Sequence, residues 1–150
     1  MRPVSRREAL AVGAAFVCIN LVPPAAHAEV GNDAAELISK FTGGKEPAQG
    51  RITLDLPEIA ENGNTVPLLV MVDSPMTSDS HVSEVLVVAD GNPNGGVATM
   101  MFTPASGRAE AAIRIRLAQT QNVIAVAKMS DGSMFSDHKV VKVTIGGCGG

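Results

Sequence analysis

The sequence predicts an all-β chain: an antiparallel β-sandwich of about seven short strands, with one short N-terminal helix and a flexible C-terminal tail. Three observations carry that expectation. From Arg51 onward the chain breaks into short apolar or alternating runs, the period-two pattern of strands with at least one face in a core. Clusters of Pro, Gly, Asn and Asp separate the runs at turn-like intervals. Helical periodicity appears in only one stretch, ahead of the first strand. This strand number and spacing match an immunoglobulin-like sandwich. A small barrel is the alternative, because no intersheet cysteine pair and no core Trp distinguishes the two.

The helix comes first. Ala34, Leu37, Ile38 and Phe41 recur at helical spacing, and Gly43-Gly44 supplies a stop. Asp33 and Glu36 have the spacing of a capping box, with Asp33 as N-cap. Arg51 to Leu56 alternates polar and apolar residues until Pro57 ends the run. The turn-rich Glu61-Asn62-Gly63-Asn64 leads into Val66 to Val72, where Pro67 fits an edge position or a strand start because it cannot donate to a ladder. Val85 to Ala89 is continuously apolar and is stopped by Asp90 to Gly96, in which Gly91 to Gly96 reads as a connection, since no strand–loop–helix context makes it a phosphate loop. Val97 to Phe102 follows and is closed by Pro104. In the next strand Ile113, Ile115 and Leu117 face inward. Asn122 to Met129 and Phe135 to Ile145 flank Asp131-Gly132, a hairpin signal whose spacing permits a longer loop. The last strand is expected to set Val141, Val143 and Ile145 against Lys142 and Thr144.

Residues 1–28 read as an export signal. Arg2, Arg6 and Arg7 make a basic start, an apolar run extends from Ala9 to Val22, and Ala26-His27-Ala28 has the small-residue form of a cleavage site. Arg6-Arg7 is a twin arginine, the address of a route that exports folded proteins. The apolar run is too short to span a bilayer, which takes about 20 residues. The expected mature protein begins at Glu29, lies in the periplasm, and has no membrane association after cleavage. Removing 28 residues from 150 leaves 122, the size of one domain. The expected organisation is a signal at 1–28, a domain at 29–145, and an arm at 146–150.

Cleavage also changes the chemistry. Cys18 leaves with the signal, so Cys148 is the only thiol of the mature chain and no internal disulfide can form. A lone cysteine in an exported protein points to intermolecular pairing or a reactive thiol. Loss of Arg2, Arg6, Arg7 and Glu8 takes 12 basic and 15 acidic residues to 9 and 14, a net charge near −5. An acidic chain of this kind does not suit nucleic acid, whose phosphates need basic patches.

Cys148 stands within Gly146-Gly147-Cys148-Gly149-Gly150. Four glycines give the segment no preferred backbone shape and no side chains to bury. Five residues reach roughly 16–18 Å when extended. Gly146 and Gly147 supply reach, while Gly149 and Gly150 keep the leading end thin enough for a narrow cleft. No Lys, Arg or His neighbours the thiol in sequence, and the terminal carboxylate opposes its ionisation, so the cationic company that activates a thiolate is missing. The thiol therefore reads as an attachment point activated inside a partner's site, not as a catalyst. Ordering such a segment costs roughly 1–2 kcal/mol per residue, which favours brief docking and release.

Other constellations are weak. His81 and His138 read as ordinary surface or strand residues, and neither HExxH nor CxxC is present, so no metal or cofactor is expected. Asp79 near His81 reads as loop, and Met71, Met76, Met100, Met101, Met129 and Met134 read as core or partner surface ahead of copper ligands. No residue is assigned a catalytic role.

The twin-arginine leader, short helix, sandwich and terminal Gly-Gly-Cys-Gly-Gly together resemble the SoxY family, over essentially the whole chain. That resemblance implies a non-enzymatic sulfur carrier of periplasmic thiosulfate oxidation, paired with a SoxZ-like subunit as a heterodimer. It further implies a covalent sulfur adduct on Cys148 as the only prosthetic chemistry. A haem c enzyme would couple thiosulfate to Cys148 as a cysteine S-thiosulfonate, a manganese-dependent hydrolase would release sulfate, and a sulfur dehydrogenase would oxidise the remaining sulfane sulfur. Two other readings stay open on the residues alone: a module that uses Cys148 for an intermolecular disulfide, and a ubiquitin-like sulfur donor activated at Gly150.

Overall fold

A computed structural model describes residues 32–145. Nine strands lie in two facing layers. Seven match the expected runs: β2 (Ile52–Asp55), β4 (Val66–Val72), β5 (Val82–Ala89), β6 (Gly96–Met101), β7 (Ala109–Ile115), β8 (Gln121–Met129) and β9 (Met134–Val143). The other two, β1 (Ala48–Gln49) and β3 (Ile59–Ala60), are two-residue pieces that the sequence pattern does not mark. One layer is β2-β4-β7, and the other has the order β1-β9-β8-β5-β6 with β3 also on β9. The sandwich is antiparallel except at β1 and β3, which run parallel to β9.

The core follows from strand alternation. Val66, Leu68, Val70 and Val72 of β4 point inward and meet Val85 and Val87 of β5, Val123, Ala125 and Ala127 of β8, and Val141 of β9. These side chains are almost all fully buried, and each contributes about 1.5–3 kcal/mol relative to exposure where it is as large as Val or Leu. No Tyr or Trp is needed, because the layers mesh through many small aliphatic groups.

Strand β5 is apolar on both faces for a reason the pattern leaves open. Its outer residues Leu86 and Val88, with Ile124 of β8, pack beneath α1 (Ala34–Thr42), which lays Ala34, Leu37, Ile38 and Phe41 across the outside of the larger sheet. The helix ends as expected at Gly43, whose φ of 63° is left-handed, a conformation glycine adopts without a Cβ penalty. Its start differs from expectation. No side-chain bond caps the helix at Asp33. Asp33 Oδ1 instead accepts from the backbone N–H of Gly95 at 2.6 Å, and Glu36 pairs with Lys40 at 2.7 Å along the exposed face. Asn32 takes over at the helix start, accepting from Ala34 N–H at 3.1 Å while its Nδ2 donates to the Ala89 and Asn92 carbonyls. Both residues serve to fasten the helix to the β5–β6 connection.

Pro67 sits at the start of β4, the central strand of the smaller sheet. It pairs with Arg114 of β7 on one side, while pairing with β2 on the other begins only at Leu69, so no ladder bond is lost there. The β8–β9 link is a four-residue loop around Asp131-Gly132, in which Gly132 has φ +84°.

Candidate functional site

The residues to which the sequence assigns chemistry lie outside the described residues: Cys148, its companions Gly146, Gly147, Gly149 and Gly150, and the signal residues Arg6, Arg7, Ala26 and Ala28. What the structure places is the base on which the cysteine-bearing segment is mounted. Strand β9 leads directly to it, with Val141 fully buried and Val143 packed against the core. The expected strand runs two residues too far. Ladder pairing ends at Val143, and Ile145 is 68% exposed where the alternation places it inward.

Beyond Val143 the chain is held by neighbouring loops. Val143 N–H donates to Thr120 Oγ1 at 3.0 Å, Thr144 N–H to the Ala60 carbonyl at 3.1 Å, and Thr144 Oγ1 to the Glu61 carbonyl at 3.3 Å. Gly63 N–H then donates to the Ile145 carbonyl at 2.9 Å, and the Gly63 carbonyl accepts from Leu117 N–H at 2.8 Å. The β3–β4 turn thus bridges the last described residue of the chain to the β7–β8 loop. Short β3 exists because this segment runs alongside β9, pairing Ile59 with Lys142 and Ala60 with Val143.

The loops behind this bridge are tied by a polar network. Gln121, only 5% exposed, accepts from Gly91 N–H at 2.8 Å and donates through Nε2 to Asn92 Oδ1 and the Gln119 carbonyl. Asn92 also accepts from Ala118 N–H and donates to the Arg116 carbonyl. Among the described residues no buried side-chain polar atom lacks a partner, so the side chains of this end of the sandwich carry no desolvation penalty of the kind that unpaired polar groups impose. Gly91 to Gly96 is therefore more than the plain connection that the sequence suggests. The Asx-rich spelling Asp90-Gly91-Asn92 is the signal that could have revealed this role, since such side chains bond readily to nearby backbone.

Around β9 the surface is partly apolar. Ile59 is 56% exposed and Val140 52% exposed, and the two line a shallow depression with Glu58, Lys139 and Lys142. Val140 is legible as outward, being out of phase with Val141 and Val143; Ile59 is not, lying between Pro57 and the turn at Glu61 to Asn64, where the pattern marks no strand. A second depression lies on the outer side of the smaller sheet, between Asp55, Pro57, Pro67, Leu69 and Arg114.

The remaining candidates are dispersed. His138 is exposed on β9 opposite Ile124, and His81 Nδ1 lies 3.1 Å from the Thr77 carbonyl in the β4–β5 loop. Among the described residues no three His, Cys, Asp or Glu side chains gather as a metal site would require. Met76 and Met129 are buried, Met100 packs against the core, and Met101 is 81% exposed at the far end of β6. Two ionisable groups are displaced from their usual range, both away from the arm base. The Glu36 hydrogen bond and charge raise Lys40, and the Ser133 hydroxyl and N–H lower Asp131. No described helix is long and apolar enough to cross a membrane.

Comparison with known proteins adds the context that the base alone lacks. The family model described as sulfur oxidation protein SoxY matches residues 38–148. Among solved structures, the sulfur carrier protein SoxY from Chlorobium limicola f thiosulfatophilum is similar at 29% identity and TM-score 0.60, covering 74% of this chain and 96% of that one. A superoxide reductase (neelaredoxin) from Ignicoccus hospitalis is similar at 14% identity and TM-score 0.56, over 63% of this chain and 80% of that one. A superoxide reductase from Nanoarchaeum equitans is similar at 11% identity and TM-score 0.54, over 64% of this chain and all, 100%, of that one. At those identities the two reductases show a shared fold alone. A search of curated protein sequences finds no match.

Proposed function

The chain belongs to the SoxY family of sulfur oxidation carrier proteins, and from that premise we propose that it carries thiosulfate-derived sulfur covalently on Cys148 and presents it to partner enzymes in the periplasm. The observation that carries the assignment of the residue is the extent of the family match: it runs on past β9 to residue 148 and so takes in the cysteine. A base in which every buried side-chain polar atom among the described residues has a partner, continued by a segment with no side chains of its own beyond the thiol, suits a carrier. The base stays folded while the thiol is handed over.

Loading is an oxidation. The Cys148 sulfur bonds to the outer sulfur of thiosulfate, the thiol loses its proton, and two electrons pass to the haem c enzyme that couples them: R–SH + S2O3²⁻ → R–S–S–SO3⁻ + H⁺ + 2e⁻. Hydrolysis of the outer sulfur–sulfur bond by water, in the partner hydrolase, gives R–S–S⁻, sulfate and two protons. A sulfur dehydrogenase would then oxidise the sulfur left on the cysteine. The chain's own part is to hold the adduct, because no Lys, Arg or His stands beside Cys148 in the sequence to activate it. A SoxZ-like subunit is its proposed stable partner, and the twin-arginine leader Arg6-Arg7 its proposed route of export.

Intact mass of protein taken without reductant from cells growing on thiosulfate tests this, followed by sequencing of the C-terminal peptide. The expected result is a reducible thiosulfonate or sulfane adduct on Cys148, absent from Cys148→Ser. Bare thiol, or a disulfide to one defined protein, during active turnover would replace the carrier with a crosslinking role.

A further inference from the structure

Among the described residues four large apolar side chains are conspicuously exposed, and three of them, Ile59, Val140 and Ile145, belong to β9, its partner β3 or the residue where the described chain ends. Ile59 and Val140 share one depression, whose other walls are Glu58, Lys139 and Lys142. The pairing of Ile59 with Lys142 puts β3 and the end of β9 side by side. Only Gly146 and Gly147 separate Ile145 from Cys148, so three backbone steps can carry the cysteine at most about 10 Å from that point. An enzyme that takes the thiol into a cleft must bring the mouth of that cleft this close. It cannot react with the thiol without covering part of the surface that surrounds Ile145.

We infer that the Ile59–Val140 depression, flanked by Lys139 and Lys142, is the docking surface for the enzyme that loads Cys148, and that this enzyme meets it with an apolar contact inside an acidic rim. The inference rests on the carrier reading above and adds where the partner lands. Two observations favour this occupant. The lysine pair stands on a chain whose net charge is −3 and outnumbers the one carboxylate, Glu58, of the depression, so it is a local basic spot that would orient an acidic partner during encounter. A second copy of this chain would bring the same lysines to the contact and obstruct the base of its own arm. The contact offers two partly exposed apolar groups with charges beside them, the scale of a transient encounter rather than a permanent interface.

The test measures steady-state loading of the carrier, purified with any subunit that accompanies it. The probe is the thiosulfate-coupling haem c enzyme from the same cells, with thiosulfate as substrate and cytochrome c as electron acceptor. Carrier concentration is varied for wild type, the pair Ile59→Ser/Val140→Ser, and the pair Lys139→Gln/Lys142→Gln. All four positions can be changed without opening the core, and circular dichroism confirms folding. The apolar pair is expected to raise KM for the carrier roughly tenfold with kcat held within about twofold, since docking and not chemistry is weakened. The lysine pair is expected to raise KM several-fold at low salt, with the gap closing at high salt. Reaction of Cys148 with a small disulfide reagent should be the same in all three.

An unchanged KM in both pairs, with wild type turning over, overturns the docking surface and leaves the carrier reading intact. Loss of a stably bound subunit, or of a dimer, on gel filtration of the apolar pair assigns the surface to that occupant and overturns the loading enzyme. A wild-type carrier that accepts no thiosulfate from the enzyme overturns the carrier reading itself, and the surface with it.

Discussion

Substituting Gly95 by Ala should detach the helix from the sandwich. A Cβ built on Gly95 would lie 2.5 Å from the backbone N of Ala34 and 2.7 Å from its Cα. Non-bonded carbon contacts settle at about 3.5–4.0 Å, so the first turn of α1 has to retreat by about an ångström. That movement breaks the 2.6 Å bond from Gly95 N–H to the Asp33 carboxylate, a charged hydrogen bond contributing about 1.5–3 kcal/mol. It also stretches the two Asn32 bonds to Ala89 and Asn92, each contributing about 1 kcal/mol. The expected loss is therefore about 3–5 kcal/mol, a large share of the 5–15 kcal/mol typical of a domain. Full undocking of α1 has a similar cost, because it uncovers Leu86 and Val88, at about 1.5–3 kcal/mol each. At about 4 °C per kcal/mol the midpoint of thermal unfolding should fall by about 12–20 °C. Amide hydrogen exchange should show protection lost first in Ala34–Thr42. The neighbouring Gly96→Ala is the control, since its Cβ meets only the tip of the Leu37 side chain at 3.2 Å, which can rotate away. A Gly95→Ala protein that melts within a few degrees of wild type, with α1 still protected, would refute the account of how the helix is fastened.

Three other outcomes are expected. Leu68→Ala, at a fully buried site in the middle of the core, should cost about 2–5 kcal/mol in denaturant unfolding with the slope unchanged. Asp131 is held below its ordinary 3.8 by the Ser133 hydroxyl and N–H, so the stability it adds is complete above that value and is lost as pH falls through the lower native one. The melting difference between wild type and Asp131→Ala should accordingly be constant near neutrality and shrink towards zero in strong acid; a difference that persists in acid would contradict the sign. Deleting Gly150 should leave sulfur loading in place while Cys148→Ser abolishes it, as read by intact mass; the reverse pattern would favour chemistry at the terminal carboxylate.

Much of the fold is legible in the sequence. The bounds of β4 match the apolar run Val66 to Val72, the Gly43 stop ends the helix, and the seven main strands follow the turn clusters. These features are set locally, by residue pattern and backbone conformation. What escapes depends on contacts far apart in the chain. Residues 48–60 visit the larger sheet, cross to the smaller one at β2 and return at β3, and Leu54 N–H finds Asp137 Oδ2 across the layers at 3.0 Å. No local pattern announces such a path. The Asp33–Glu36 spacing misleads because the carboxylate has a competing donor at Gly95, distant in sequence and nearer in space. Ile145 keeps the phase of a strand that has already ended, since its carbonyl is engaged by a turn and not by a ladder. For the candidate site, the cysteine is marked by the sequence while its mounting is supplied by the structure; the exposed Ile59 becomes visible only once β3 is seen beside β9.

Strand β9 is flanked on both sides near its end, by β8 through Val141 and by β3 through Lys142 and Val143. A load reaching Ile145 meets first its bond to Gly63 and those of Thr144 to Ala60 and Glu61, and behind them that strand. To yield, β9 must slide lengthwise past two neighbours, so its bonds resist together; a strand peeled from an edge gives them up one at a time. The mount therefore tolerates traction. A pull on the chain beyond Ile145 would work against a shear-resistant anchor, and the sandwich need not fray under it.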